Sequence, residues 1–448
     1  MSHIPENEIA LYAFDPAEVG SARSAEIRRH TADCPNCLST LDFYSIAEED
    51  LADADVWEPI AGSGTLESLR VHAERVAAED AEAEELLAPL LAATMAAAWT
   101  NIQLQPEFLT GGVVRRLTAQ AHEVCEGEPL QALALAEAAV SVAESLADDT
   151  YPAKAVYDLR GTAWKERANA LLLLGQFNDA LDSLSRAEQA YRSIPSSALG
   201  LSIVAFVRAT VLYQQQRLQE ATATAELAER GFAHLGDDRR RMSALYLHAS
   251  IKYEAQDPAG AVALYRQILD YGELVHDTRW IARAAYALGN CEVDLGNVAE
   301  AAMHFHQALV LFREVGPSTD RVRTEWGLAR VLLQSGRHAE AARRLRGVVS
   351  EYETRGMITD AALAGLDIAD ALLVTGDTAE IVELTARLFR VFQDAGMVTG
   401  TLTAMAYLKE AAAGGTLTPV VLQTVRTFLR RAERQPELLF APPPSDFR

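Results

Sequence analysis

Apolar residues along most of this chain recur at three- and four-residue spacings, the period of an amphipathic helix, and glycines interrupt the stripes. The clearest case runs from Ala282 to Gly316. Ala285, Leu288, Gly289 and Val293 share one face of a first helix. Gly296 and Asn297 break it, because glycine tolerates the left-handed backbone at which helices end. Val298, Ala301, Phe305, Ala308 and Leu309 predict a second helix, which Gly316-Pro317 stops. Small residues at Gly289, Ala301 and Ala308 let two antiparallel helices approach, while Phe305 and Leu309 fill the space between them. Such a hairpin cannot bury both of its faces alone.

The hairpin repeats. Its second-helix alanine aligns with Ala180, Ala221, Ala261, Ala341 and a degenerate Ile381, at one step of 41 and four of 40 residues. The helix-ending glycine recurs as Gly175, Gly336 and Gly376, whereas Gln216 and Gln256 take its place in two middle copies. A fixed period in this range predicts a solenoid in which each hairpin is buried by its neighbours. Leu288-Gly289, Gly296-x-Val298, Ala301, Phe305 and Ala308 resemble the tetratricopeptide repeat (TPR) family, as do Gly175-x-Phe177, Ala180, Leu184 and Ala187. The period is about six residues longer than the usual one, as with the longer second helices of some bacterial TPR regulators. The resemblance implies an all-α, right-handed solenoid of about seven hairpins over residues 111–400. Helices over 401–440 would cap it, and the Pro-rich tail at 441–448 reads as disordered.

The N-terminal residues follow another pattern. A short amphipathic segment from Ile4 to Tyr12 and a helix over about 17–30 lead into His30-Thr-Ala-Asp-Cys34-Pro-Asn-Cys37. His30 and Cys34 lie one helical turn apart, and Cys-x-x-Cys forms the tight turn that aims two thiolates at one metal. Tetrahedral zinc needs a fourth ligand, for which His3 is the candidate. The bland alternative is a cysteine pair packed as small apolar side chains at a helix end. The motif resembles the bacterial zinc-binding anti-sigma domain, which implies zinc held over residues 1–46 and an extracytoplasmic-function sigma factor as partner. Membrane relatives place a transmembrane helix after such a module; here an acidic linker and a helix from Thr65 fill residues 47–110. Its acids read as a solvated face, or else as a mimic of nucleic acid or a surface that docks on basic residues of the protein itself.

Composition narrows the function. A formal net charge of −23 argues against general nucleic-acid binding, which needs a basic face. Four cysteines in 448 residues make no disulfide scaffold, so a reducing cytoplasm is expected. The apolar run from Leu86 to Trp99 contains Pro89 and is too short to span a bilayer; it reads as a buried helix. No phosphate loop, nucleophile elbow or metalloprotease motif is present, which argues against an enzyme. Cys125 and Cys291 read as core residues.

What remains is binding. Counted from Gly161, Ser202, Met242, Ala282, Val322 and Ala362, the fifth position of each first helix reads Lys165, Phe206, Tyr246, Tyr286, Trp326 and Leu366. The ninth reads Asn169, Thr210, Ser250, Asn290, Arg330 and Asp370, and the second supplies Arg283 and Arg323. An aromatic row beside a polar row suits a bound peptide or protein segment. An Asn at the place of Asn290 resembles the residue with which many TPR domains hold a peptide backbone. The competing readings are aromatics that fill a narrow superhelix and arginines that pair with acids on neighbouring helices. The sequence thus points to a regulator of transcription acting through protein contacts, with no nucleic acid or membrane as partner. The alternative is a TPR scaffold that assembles a complex, its zinc knuckle purely structural.

Overall fold

The computed structural model is all-helical, with eighteen α-helices and no strand among the described residues. Those residues are 4, 9, 12, 21–34, 37, 65–92, 99, 102, 105–146, 151–194, 197–315, 319–433, 435 and 437–442. His3, most of the Ile4–Tyr12 segment, the acidic linker before Thr65, Gly316-Pro317 and nearly all of the Pro-rich tail lie outside them. The chain divides into two compact units: Met1–Ala93 with Thr110–Arg116, and Thr94–Leu109 with Leu117–Arg448.

In the first unit, α1 (Ser21–Asp33) buries Ser24, Ile27 and Thr31, one stripe at i, i+3 and i+7. Thr31 is tolerated there because a helix offers its hydroxyl a carbonyl: Thr31 Oγ1 donates to the Ile27 carbonyl at 2.9 Å. Helix α2 (Thr65–Ala92) buries Ala83 and Leu87, four apart. Of the expected buried helix from Leu86 to Trp99, residues 86–92 form the tail of this longer helix, with Ala88 and Pro89 exposed, and residues 93–98 lie outside the described residues. Pro89 leaves the Glu85 carbonyl without its amide partner and crowds it, and the helix ends within a turn, at Ala92. The opening turns of α3 (Gly111–Val124) also belong to this unit. Arg115 Nε reaches Asp80 at 2.8 Å, and Arg116 pairs with Glu84. Acids of α2 therefore do meet basic residues of the same chain, through exposed pairs worth at most about 1 kcal/mol each. A Cβ on Gly112 would lie 2.3 Å from the Glu79 carbonyl oxygen, so only glycine allows this approach.

The second unit is a row of helical hairpins. Helix α4 (Pro129–Ser145) follows α3, and then come α5 (Ala153–Leu173) with α6 (Phe177–Arg192) and α7 (Ala198–Gln214) with α8 (Leu218–His234). Next are α9 (Asp238–Glu254) with α10 (Pro258–Leu274) and α11 (Thr278–Leu295) with α12 (Val298–Val315). The row ends in α13 (Thr319–Gln334) with α14 (His338–Thr354), α15 (Ile358–Thr375) with α16 (Thr378–Asp394), and α17 (Thr399–Ala413) with α18 (Pro419–Ala432). Sequence neighbours pack on one another from α4 to α18, as a solenoid requires. Every aligned alanine, from Ala180 to Ala341, is fully buried, and Ile381 nearly so. Aspartates cap several helices: Asp237, Asp257, Asp277 and Asp377 each accept from a backbone N–H in the first turn that follows. Gly296 ends α11 in the left-handed region at φ 80°.

Aromatic side chains join the hairpins by lying on glycines. The Phe305 ring sits so close to α11 and α13 that a Cβ on Gly289 would fall 2.7 Å from it, and one on Gly327 2.4 Å. Tyr191 is held in the same way between Gly161 and Gly200. Phe305 is fully buried, which stabilises by about 1.5–3 kcal/mol relative to an exposed ring. Cys291 and Cys125 are buried; desolvation pushes the Cys291 thiol up to about 12, so both serve as core residues.

Candidate functional site

Three first helices each bring one aromatic residue to the same face. Tyr246 on α9, Tyr286 on α11 and Trp326 on α13 stand forty residues apart, and each leans on an aromatic of the second helix in its own repeat. Tyr246 meets Tyr265 at 5.3 Å, Tyr286 meets Phe305 at 6.1 Å, and Trp326 meets Tyr352 at 6.0 Å between ring centroids. One edge of each ring packs inward and the other borders a cleft of about 1200 Å³. Each ring thus packs against a second-helix aromatic and also borders the cleft.

Polar groups line the same cleft and are tied to each other across repeats. Arg330 on α13 donates to Asp294 Oδ1 at 3.0 Å and to Asn290 Oδ1 at 3.4 Å, both on α11. Tyr253 on α9 donates to the other oxygen of Asp294 at 2.5 Å. Burial pushes the Tyr253 hydroxyl above its ordinary value, and Asp294 beside it pushes the same way. Burial opposes the charge on Arg330, but Asp367, Tyr253 and Asp294 outweigh it, so the guanidinium stays fully charged. Trp326 Nε1 donates to Asp367 at 2.7 Å, and Arg426 of α18 reaches Asp367 at 2.9 Å and Asp370 at 2.5 Å. Arg430 and Arg431, on the last turn of α18, complete the lining.

Six of the nine expected groove residues thus border one cleft: Tyr246, Tyr286, Asn290, Arg323, Trp326 and Arg330. The other three lie elsewhere. Arg283 is exposed and stacks over the Tyr246 ring at 4.5 Å and over Trp280 at 5.5 Å. Phe206 packs, half-buried, among α7 and α8 core residues. Asn169 donates to the buried Glu166 at 2.9 Å, which Lys165 also contacts at 2.6 Å. The first helix of that hairpin spends its polar row on a buried carboxylate. Sequence reasoning missed Glu254, Asp294 and Gln334, which border the cleft four residues after Ser250, Asn290 and Arg330. Extending the ninth-position row by one helical turn would have found them.

In the first unit, His30, Cys34 and Cys37 come together, their ligand atoms all within 4.8 Å of one another. Two sulfurs on one tetrahedral zinc stand about 3.8 Å apart, so the group needs little movement to close on an ion. His30 Nε2 is buried and has no hydrogen-bond partner, the state of a nitrogen whose lone pair is kept for a metal. Burial pushes the Cys37 thiol up, and Cys34 adds to this against a hydrogen bond at the Ile4 backbone. A divalent ion would reverse that balance by binding the thiolate. The donor set, two sulfurs and an imidazole, fits zinc.

Comparison with known proteins adds the repeat family. Two tetratricopeptide-repeat families match, over residues 280–348 and 243–271. No curated protein sequence matches the chain. Among solved structures, a Rap protein complexed with competence and sporulation factor is similar at 14% identity and a TM-score of 0.53. It covers 72% of this chain, and this chain covers 88% of it. Aspartyl phosphate phosphatase F from Bacillus subtilis is similar at 13% identity and a TM-score of 0.52, over 88% of this chain and 96% of its own. At these identities the likeness is one of fold. Among the described residues, no helix is long and apolar enough to cross a membrane. The chain carries tetratricopeptide repeats, and the cleft described above runs along them.

Proposed function

We propose that this protein is a cytoplasmic regulator that works by protein contacts: the solenoid cleft receives a peptide or protein segment, and the N-terminal module holds an extracytoplasmic-function sigma factor. The observation that carries the reading is the cleft itself. It has an aromatic floor for apolar side chains and, in Asn290, Arg330 and Gln334, N–H groups for main-chain carbonyls beyond those already given to the Tyr286 carbonyl, to Asn290 and Asp294, and to the Val293 carbonyl. The Rap protein, similar in fold, is complexed with competence and sporulation factor, which supports reading the cleft as a receptor site. Its titratable groups are spent on one another, as Tyr253, Asp294 and Arg330 are, which suits binding better than catalysis. At the other site, His30, Cys34 and Cys37, with His3 as fourth ligand, would hold a zinc ion that staples the N-terminal helices. A ligand in the cleft can release the sigma factor only if the holding and releasing states bind that ligand with different affinity.

The test is co-purification of the zinc-loaded full chain with a sigma factor of this class encoded beside it. Metal analysis should give about one zinc per chain, falling sharply in Cys34→Ser and His30→Ala. Capture of the sigma factor should be lost in the same variants and unchanged in Tyr286→Ala. A chain that carries zinc but captures no sigma factor would defeat the anti-sigma reading. Metal well below one per chain would defeat the zinc site.

A further inference from the structure

Among the described residues, three other than glycine adopt left-handed backbone: Gln216 at φ 60°, Gln256 at 63° and His276 at 55°. Gln216 follows α7 and Gln256 follows α9, at the place where Gly175, Gly296, Gly336 and Gly376 stand in other hairpins. Glycine would hold the same turn with less strain, because a Cβ crowds the backbone at positive φ. Strain of this kind persists where the side chain is wanted for something else. Both glutamine side chains are exposed and both border the cleft. Gln216 makes one long local bond, Nε2 to the Tyr213 carbonyl at 3.4 Å, and the Gln256 side chain makes none among the described residues. His276 sits between α10 and α11 and does not border the cleft. Strain alone therefore does not mark the site; strain, exposure and the cleft coincide only at the two glutamines.

We propose that Gln216 and Gln256 are specificity determinants of the cleft, their carboxamides pairing with the main chain of an extended, acidic peptide. This rests on the reading of the cleft as a peptide receptor. A carboxamide both donates and accepts, so it can pair with the N–H and C=O of a ligand residue whatever its side chain. The two stand one repeat apart, each ten residues after a fifth-position aromatic, Phe206 and Tyr246, of which Tyr246 borders the cleft. With Arg330 and Asp294 paired, the cleft sets Arg323, Arg430 and Arg431 against Glu254 and Glu433, an excess of one positive charge in a chain of net charge −23, which favours an acidic occupant there over a basic one.

The test starts by panning the full chain with phage-displayed random heptapeptides; the strongest binder, fluorescein-labelled, is the probe. Gln216→Gly combined with Gln256→Gly should raise the Tm by about 1–3 °C, since strain is relieved. The same variant should bind the probe roughly tenfold more weakly, two neutral hydrogen bonds being lost. His276→Gly should raise the Tm and leave binding alone, and Tyr286→Ala should abolish binding. A double variant that binds as the wild type does, while Tyr286→Ala does not, overturns the glutamine proposal and spares the receptor. A double variant with lower Tm also overturns it, because the glutamines then serve the fold. No binder, or one indifferent to Tyr286→Ala, overturns both readings.

Discussion

At the scale of single residues, the glycines divide into two kinds that the sequence does not distinguish. Gly289 and Gly347 both lie inside helices, where replacing glycine by alanine ordinarily stabilises by about 1 kcal/mol. At Gly347 a Cβ meets nothing within 4 Å, so Gly347→Ala should show that gain. At Gly289 the same Cβ would fall 2.7 Å from the Phe305 ring, which is fully buried and cannot swing away. Overpacking of this kind costs about 1–3 kcal/mol. It offsets or exceeds the propensity gain, so Gly289→Ala should lose up to about 2 kcal/mol net. Urea midpoints at unchanged slope measure both. Equal and favourable shifts in the two variants would show that Phe305 does not need the glycine. The repeat alanines and Phe305 were legible as core positions because the helical period places them on one face. The neighbour that makes one glycine indispensable was not legible, since Gly327 reaches Phe305 from the next hairpin.

At the scale of elements, the last helix does more than cap the row. Its sequence reads as a helix with a polar outer face, and α18 does bury Val421, Leu422, Val425 and Leu429. Its arginines nonetheless have inward work. Arg426 holds Asp367 and Asp370 of α15, and Asp367 in turn accepts from Trp326 of α13. Three elements meet at one carboxylate that is only 8% exposed. Arg426→Ala removes the cation bonded to it and should cost about 2–4 kcal/mol, mostly the penalty of a buried carboxylate left with the Trp326 N–H and the charge of Arg330, to which it is not hydrogen-bonded. The loss should be local, seen as faster amide hydrogen exchange in α15, α17 and α18 with little change in α5 to α10. Uniform acceleration along the chain, or none, would show that the link is not what seats α18. This contact was illegible because Arg426 lies outside the forty-residue register and meets its partners 56 and 59 residues away. The His30, Cys34 and Cys37 group was legible for the opposite reason, since all three lie within eight residues.

At the scale of the molecule, the second unit is held together between neighbours along the row. Its buried residues form successive clusters, one centred on α5 to α7, another on α9 to α11, another on α11 to α13, and a large one on α13 to α18. Stability in such an array is a sum of hairpin and interface terms, so its cooperativity is only as strong as its weakest junction. The junction of α12 with α13 turns on Phe305 against Gly327, where a Cβ would stand 2.4 Å from the ring. Gly327→Val should therefore split thermal unfolding into two transitions, the first melting one side of that junction while the other keeps its helices. The cleft crosses the same junction, drawing its lining from α9 and α11 on one side and α13 and α18 on the other. A ligand seated there binds only the joined form, and at a hundredfold excess over its Kd it would add about 2.7 kcal/mol to the junction. Saturating ligand should then merge the two transitions of Gly327→Val into one. Two transitions that stay separate under saturating ligand would mean that the occupant touches only one side of the junction, and the cleft would have to be redrawn as two shorter sites.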